Sequence, residues 1–119
     1  MNSTITTPPA SNPLFRYDAY RPAVGARSHV VRWLPLKRAE LSDQLDRASI
    51  SVALNIAEGA GRSTPREQAR HYAIARGSAF ECLAILDLID LESTGIETAE
   101  ARALLIRLYA VLTRLCRFR

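Results

Sequence analysis

Ten successive residues from Ala48 to Ala57 carry no charge, yet their apolar members are spaced for a helix rather than a strand. Leu41, Leu45, Ala48, Val52 and Ile56 form a seam at three- and four-residue steps, and Ile50, Ala53, Leu54 and Ala57 broaden it. The spacing predicts a helix over 39–59 that is buried nearly all round, with Gly59 in the left-handed position that follows a helix end. Ser63-Thr64-Pro65 with Glu67 then signals a new start: Thr64 as N-cap, Pro65 at the first helical position, and Glu67 completing a capping box. That helix is predicted to run from Pro65 to about Glu92. In its second half, residues 82–91 (CLAILDLIDL) put apolar side chains at nearly every angle around the axis. Such a helix must contact something besides its own core, so Leu83, Leu86, Leu88 and Ile89 are expected at an interface between copies of the chain.

Two further helices flank this pair. From about Tyr17 to Trp33 the positions Tyr20, Ala23, Val24, Val30 and Val31 recur at roughly helical spacing, with Pro22 placed for a start or a kink. Pro35 ends that segment and Leu36 to Arg38 form a basic connector. After a turn at Ser93-Thr94-Gly95, the set Leu104, Leu105, Leu108, Val111, Leu112 and Leu115 predicts a last helix from about Thr98 to Arg117, in which Thr98 offers only half a capping box. No segment reads as a strand. Four helices with short connectors predict an all-α fold, an up-down-up-down antiparallel four-helix bundle over residues 14–119. Residues 1–13, with three Pro and no charge, are expected to be a flexible tail.

Charge changes this picture more than overall composition does. The chain has 119 residues and a net charge of +4, but residues 14–38 carry +5 and residues 96–119 carry +3, while the two segments between them are each at −2. In an up-down-up-down bundle the first and last helices are neighbours, so the two basic segments would share a wall. Arg27, Arg32, Lys37, Arg38, Arg102, Arg107, Arg114 and Arg117 are therefore the candidate contacts for the phosphates of RNA or DNA. The competing reading is a solvated face, and Tyr17, Tyr20, Trp33 and Tyr109 show no evident stacking array.

Two motifs in order, SISVALNIAEGAGRSTPRE (Ser49 to Glu67) and ARGSAFE (Ala75 to Glu81), resemble the NIAEG helix end and the following GS-x-x-E segment of the 23S rRNA intervening-sequence protein family. Those proteins are also similar to the accessory variability protein of diversity-generating retroelements. The resemblance implies a homopentameric barrel of four-helix bundles, with a nucleic acid or a protein such as a reverse transcriptase as partner, and it implies no enzymatic activity or cofactor. Asp46 departs from the family pattern, standing where a basic residue is often found.

Asn55, Glu58, Arg62, Ser78 and Glu81 are the polar residues near the connecting turn, and the favoured reading makes them a hydrogen-bonded network that fixes helix register. Gly59, Gly61 and Gly77 lack the Lys-Ser/Thr ending of a phosphate-binding loop. Neither His29 nor His71 belongs to a Glu-x-x-His pair, so a di-metal bundle is not predicted, and Glu67 with His71 reads as an exposed helix pair. Cys82 and Cys116 have no CxxC spacing and are expected to be buried free thiols. No secretory leader or membrane span is predicted, and a cytoplasmic location is expected.

Overall fold

A computed structural model describes residues 17–117. The expected tail at 1–13 lies outside the described residues, as do residues 14–16 and the last two. The described chain forms four helices: α1 (Tyr20–Trp33), α2 (Ala39–Ala60), α3 (Pro65–Leu91) and α4 (Ala99–Leu115). The fold is all-α, and no strand occurs among the described residues.

Each helix packs against the one before and the one after it, and α1 closes against α4, so the four axes form a square. Side-chain contacts give the directions. Between α2 and α3, Ser51 meets Ser78 while Asn55 meets His71. Between α3 and α4, Asp87 meets Arg102 while Phe80 meets Tyr109. In each pair one residue number rises as the other falls, as antiparallel neighbours require, and the arrangement is compatible with an up-down-up-down bundle.

Local chemistry explains the boundaries. Pro22 is the third residue of α1, inside the first turn, where its missing N–H is one the helix leaves unpaired in any case. The Thr64 hydroxyl accepts from the Glu67 N–H at 3.1 Å, so the predicted N-cap of α3 forms; the Glu67 carboxylate accepts back from the same hydroxyl at 3.3 Å. Thr98 does something else. Its hydroxyl donates to the Asp90 carboxylate at 2.9 Å, tying the start of α4 to the end of α3.

Gly59 corrects the expectation of a left-handed cap. It lies within α2, and the cap is Gly61 with φ −87°. Space rather than backbone conformation is what demands glycine at 59: a Cβ there would stand 2.7 Å from the Tyr72 ring of α3. Gly25 plays a milder form of this part between α1 and α4, where a Cβ would lie 3.2 Å from Leu104.

The core consists of Leu45, Val52 and Ile56 of α2, Leu86 and Ile89 of α3, Leu105, Leu108 and Leu112 of α4, and the smaller Ala23, Ala26 and Val30 of α1. Each fully buried Leu or Ile contributes roughly 1.5–3 kcal/mol relative to exposure. Two of the expected interface residues are corrected here: Leu86 is 0% exposed and Ile89 2%, because both point along the inner seam of α3 with Cys82. Leu83 is half-buried against the core and Leu88 is exposed.

Candidate nucleic-acid interface

The eight cations singled out by charge clustering do not form one surface. Arg27 turns from α1 to α2, where one guanidinium nitrogen donates to the Asp46 carboxylate at 2.7 Å, the Asp46 carbonyl at 3.2 Å and the Ser49 hydroxyl at 2.9 Å. Arg38 bonds Glu92 at 2.7 Å, joining the two connectors at one end of the bundle. Arg102 divides its guanidinium between Asp87 and Asp90, each at 2.7 Å, and these bonds hold its pKa above the usual value, with the one to Asp87 contributing most. Arg32 donates to His29 Nδ1 at 2.7 Å. Lys37, Arg107, Arg114 and Arg117 are exposed and take part in none of the ion pairs among the described residues.

Topology sorts charge along the long axis, which α3 alone makes roughly 40 Å at 1.5 Å per residue. The half that holds the α2–α3 turn comprises residues 17–26, 50–78 and 108–117. It carries seven Arg against three carboxylates, Asp18, Glu58 and Glu67. The opposite half carries seven cations against nine carboxylates. Arg62 pairs with Glu58 at 2.6 Å in the basic half, whereas Arg27, Arg38, Arg47 and Arg102 all pair with carboxylates in the acidic half. The sequence division by chain segment missed this, since Arg66, Arg70 and Arg76 stand in a segment whose sum is negative.

Arg76 belongs to a group that charge alone does not reveal. Phe80 stacks on Tyr109 across the α3–α4 wall, with centroids 5.1 Å apart and planes 25° apart, and the Arg76 guanidinium lies 5.5 Å from the Tyr109 centroid. Phe80 is 61% exposed. This is the stacking array that the sequence did not show, because it depends on the register between α3 and α4.

The polar seam between α2 and α3 is real but differently composed. Asn55 donates to the Ser51 carbonyl and hydroxyl, Ser51 shares a hydrogen bond with Ser78 at 2.9 Å, and the Asn55 amide oxygen meets His71 Nδ1 at 3.3 Å. Thus Asn55 and Ser78 are linked as expected, but through Ser51, and His71 joins the seam instead of pairing outward with Glu67. Glu58 takes Arg62 at the surface, and Glu81 is exposed and outside the seam.

Three titratable groups are buried, Cys82, His29 and Tyr72, and burial first and Tyr17 second hold the Tyr72 phenol above its ordinary value. Burial pushes the Cys82 thiol up to about 12, and no disulfide joins it to Cys116. His29 is held below its ordinary 6.5 by burial first and the Arg32 charge second, with Glu100 opposing. Among the described residues no three His, Cys, Asp or Glu side chains gather as a metal site would require, and no helix is long and apolar enough to cross a membrane. Where the two connectors meet at the acidic end, a cleft of about 780 Å³ opens between Trp33, Leu36, Leu41, Ile89 and Ile96, with Arg38 and Glu92 on its rim.

No curated protein and no solved structure shows significant similarity to the chain. The family model of the 23S rRNA-intervening sequence protein, by contrast, matches residues 19–115, from the residue before α1 to the last residue of α4. A match spanning all four helices, with the NIAEG segment at the end of α2 and the GS-x-x-E segment in the middle of α3, shows that the chain belongs to the 23S rRNA-intervening sequence protein family.

Proposed function

We propose that the chain is a non-enzymatic, self-assembling binding protein that takes the phosphate backbone of a nucleic acid along its basic half. The observation that carries this reading is the imbalance of seven Arg against three carboxylates there, with Arg70, Arg114 and Arg117 exposed and outside the described ion pairs. A guanidinium not already held by a carboxylate can release phosphate counterions, and affinity then falls steeply with salt. The phosphate-binding residues are Arg70, Arg114 and Arg117, with Arg107 at the border of the same half; Arg27, Arg38 and Arg102 serve the fold. The test is fluorescence anisotropy with labelled RNA and DNA at low and moderate salt. Arg70→Glu with Arg114→Glu lowers affinity at least about tenfold and flattens the salt slope on duplex DNA by roughly 0.9 for each phosphate no longer neutralised. Unchanged binding by this variant overturns the reading.

A specific observation favours a second reading, a structural homo-oligomer without nucleic-acid affinity. Leu54 of α2 is 59% exposed, and the antiparallel register brings Ile74 of α3, also exposed, to its level. Leu88 and Leu91 extend exposed apolar surface along α3. Such side chains are covered most simply by another copy, and the pentamer implied by the family resemblance is the number to test. Light scattering after size exclusion with Leu54→Glu tests the wall: a smaller particle puts the subunit interface there, and an unchanged one removes it; absence of salt-sensitive binding in the anisotropy titration then separates this reading from the first.

A further inference from the structure

We infer that Phe80, stacked on Tyr109 beside Arg76, is a platform for an unpaired nucleobase, so that the nucleic acid this chain takes is single-stranded. The inference rests on the basic-half reading and adds a preference that charge alone does not give.

Among the described residues Phe80 is the one exposed side chain of the Phe, Tyr and Trp class. A phenylalanine that stays 61% exposed forgoes most of the stabilisation its ring would gain in the core. Tyr109 stacks on the ring, at 5.1 Å between centroids and 25° between planes, and most of the Phe80 surface still stays open to solvent. Tyr109 is held in turn from the α3 side, with the Arg76 guanidinium 5.5 Å from its ring centre. The Phe80 ring is therefore braced before any ligand arrives, which lowers the ordering cost of binding. Ile106, three residues before Tyr109 on α4, is also exposed and extends the apolar surface on that helix.

Charge chooses the occupant. Phe80 stands next to the boundary of the basic half, and Arg76 brings a cation to the stack itself. An apolar plane with a guanidinium at its side, next to a half that also carries the exposed Arg114 and Arg117, matches a chain of alternating π-faces and phosphates. An acidic or purely apolar protein surface would match only one of these two features. A duplex keeps its base faces stacked inside and offers the protein phosphates and groove edges, so the Phe80 face has nothing to stack on. An unpaired strand offers both.

The experiment compares anisotropy titrations of an oligothymidylate and a duplex of the same length against the full chain, Phe80→Ala, Phe80→Trp and the double variant Arg70→Glu/Arg114→Glu. Phe80 is exposed, so its alanine variant keeps the fold, which circular dichroism and particle mass verify. The expected result is a loss of about five- to hundredfold for the single strand with Phe80→Ala, the range set by one base stack. Duplex affinity stays the same and Phe80→Trp retains binding. Equal or no loss for the two nucleic acids with Phe80→Ala overturns the platform. So does a change in particle mass with unchanged single-strand affinity, which would place Phe80 between copies of the chain. If the double variant weakens both nucleic acids while Phe80→Ala weakens neither, the basic-half reading stands and the platform falls. If no variant changes binding, both fall.

Discussion

The two halves of the bundle hold equal numbers of cations and differ in what those cations meet. In the acidic half Arg27, Arg38, Arg47 and Arg102 each face a carboxylate within hydrogen-bonding distance. In the basic half Arg62 does so, Arg76 lies by an aromatic ring, and Arg70, Arg114 and Arg117 face outward. The number of cations along the chain therefore says little about where a polyanion would settle; what matters is which carboxylates the topology brings to the same level. In the acidic half ion pairs cross from helix to helix, Arg27 from α1 to α2 and Arg102 from α4 to α3, so charge there is used for register. In the basic half register comes from shape and uncharged hydrogen bonds, with the Tyr72 ring seated on Gly59 and with Ser51 and Asn55 bonded across to Ser78 and His71.

That contrast can be broken, the largest effect first. Gly59→Ala puts a methyl 2.7 Å from the Tyr72 ring, and the tyrosine must move out of a site where it is 6% exposed. We expect a loss of about 1–3 kcal/mol in urea unfolding, the usual cost of overpacking. Gly77→Ala, where a Cβ meets nothing within 4 Å, gains about 0.5–1 kcal/mol from helix propensity. If both alanines act alike, shape does not set register in the basic half.

The next effect concerns pH and belongs to the acidic half. Burial is the main penalty on protonating His29, and because its Nδ1 accepts from Arg32, a proton placed there also loses that bond and meets a guanidinium. The folded pKa lies below the unfolded 6.5; the unfolded chain binds the proton first, and stability present above 6.5 is lost as pH falls below it. Denaturation midpoints measured across this window should decline, and His29→Gln should remove the part of the slope that begins near 6.5. A slope unchanged in that variant would assign the acid sensitivity to other groups.

The smallest effect is the sharpest for the comparison. Arg102→Ala removes its bonds to two exposed carboxylates, and pairs of this kind are worth about 1 kcal/mol or less each. We expect a small loss of stability and no change in nucleic-acid affinity. A marked fall in affinity would mean that a cation held by carboxylates also serves the ligand.

The helices were legible in the sequence because their ends carry local signals. Thr64-Pro65 starts α3 and Pro35 follows α1, and neither needs a partner to act. The burial of Leu45, Val52 and Ile56 was legible too, since a continuous seam has one inner side. What the sequence concealed were relations between helices. Leu86 and Leu88 look alike in an apolar run, and only the direction of the α3 seam puts one in the core and the other at the surface. Gly59 reads as a cap until the Tyr72 ring is found against it, and Tyr109 shows no stacking partner until the α3–α4 register brings it to Phe80. His71 is assigned outward by its i, i+4 partner Glu67, but turns to Asn55 of the neighbouring helix.

Cys82 offers an intrinsic clock for the opening of the bundle. Its sulfur lies in the inner seam of α3, fully buried, with ionisation pushed up to about 12. An alkylating reagent needs both access and thiolate, so at neutral pH it modifies Cys82 only during excursions that separate α3 from its neighbours. Cys116, half-buried at the end of α4, reports local fraying in the same sample. Comparing the two labelling rates by mass spectrometry would time global opening against the loosening of one helix end, with no probe added to the chain.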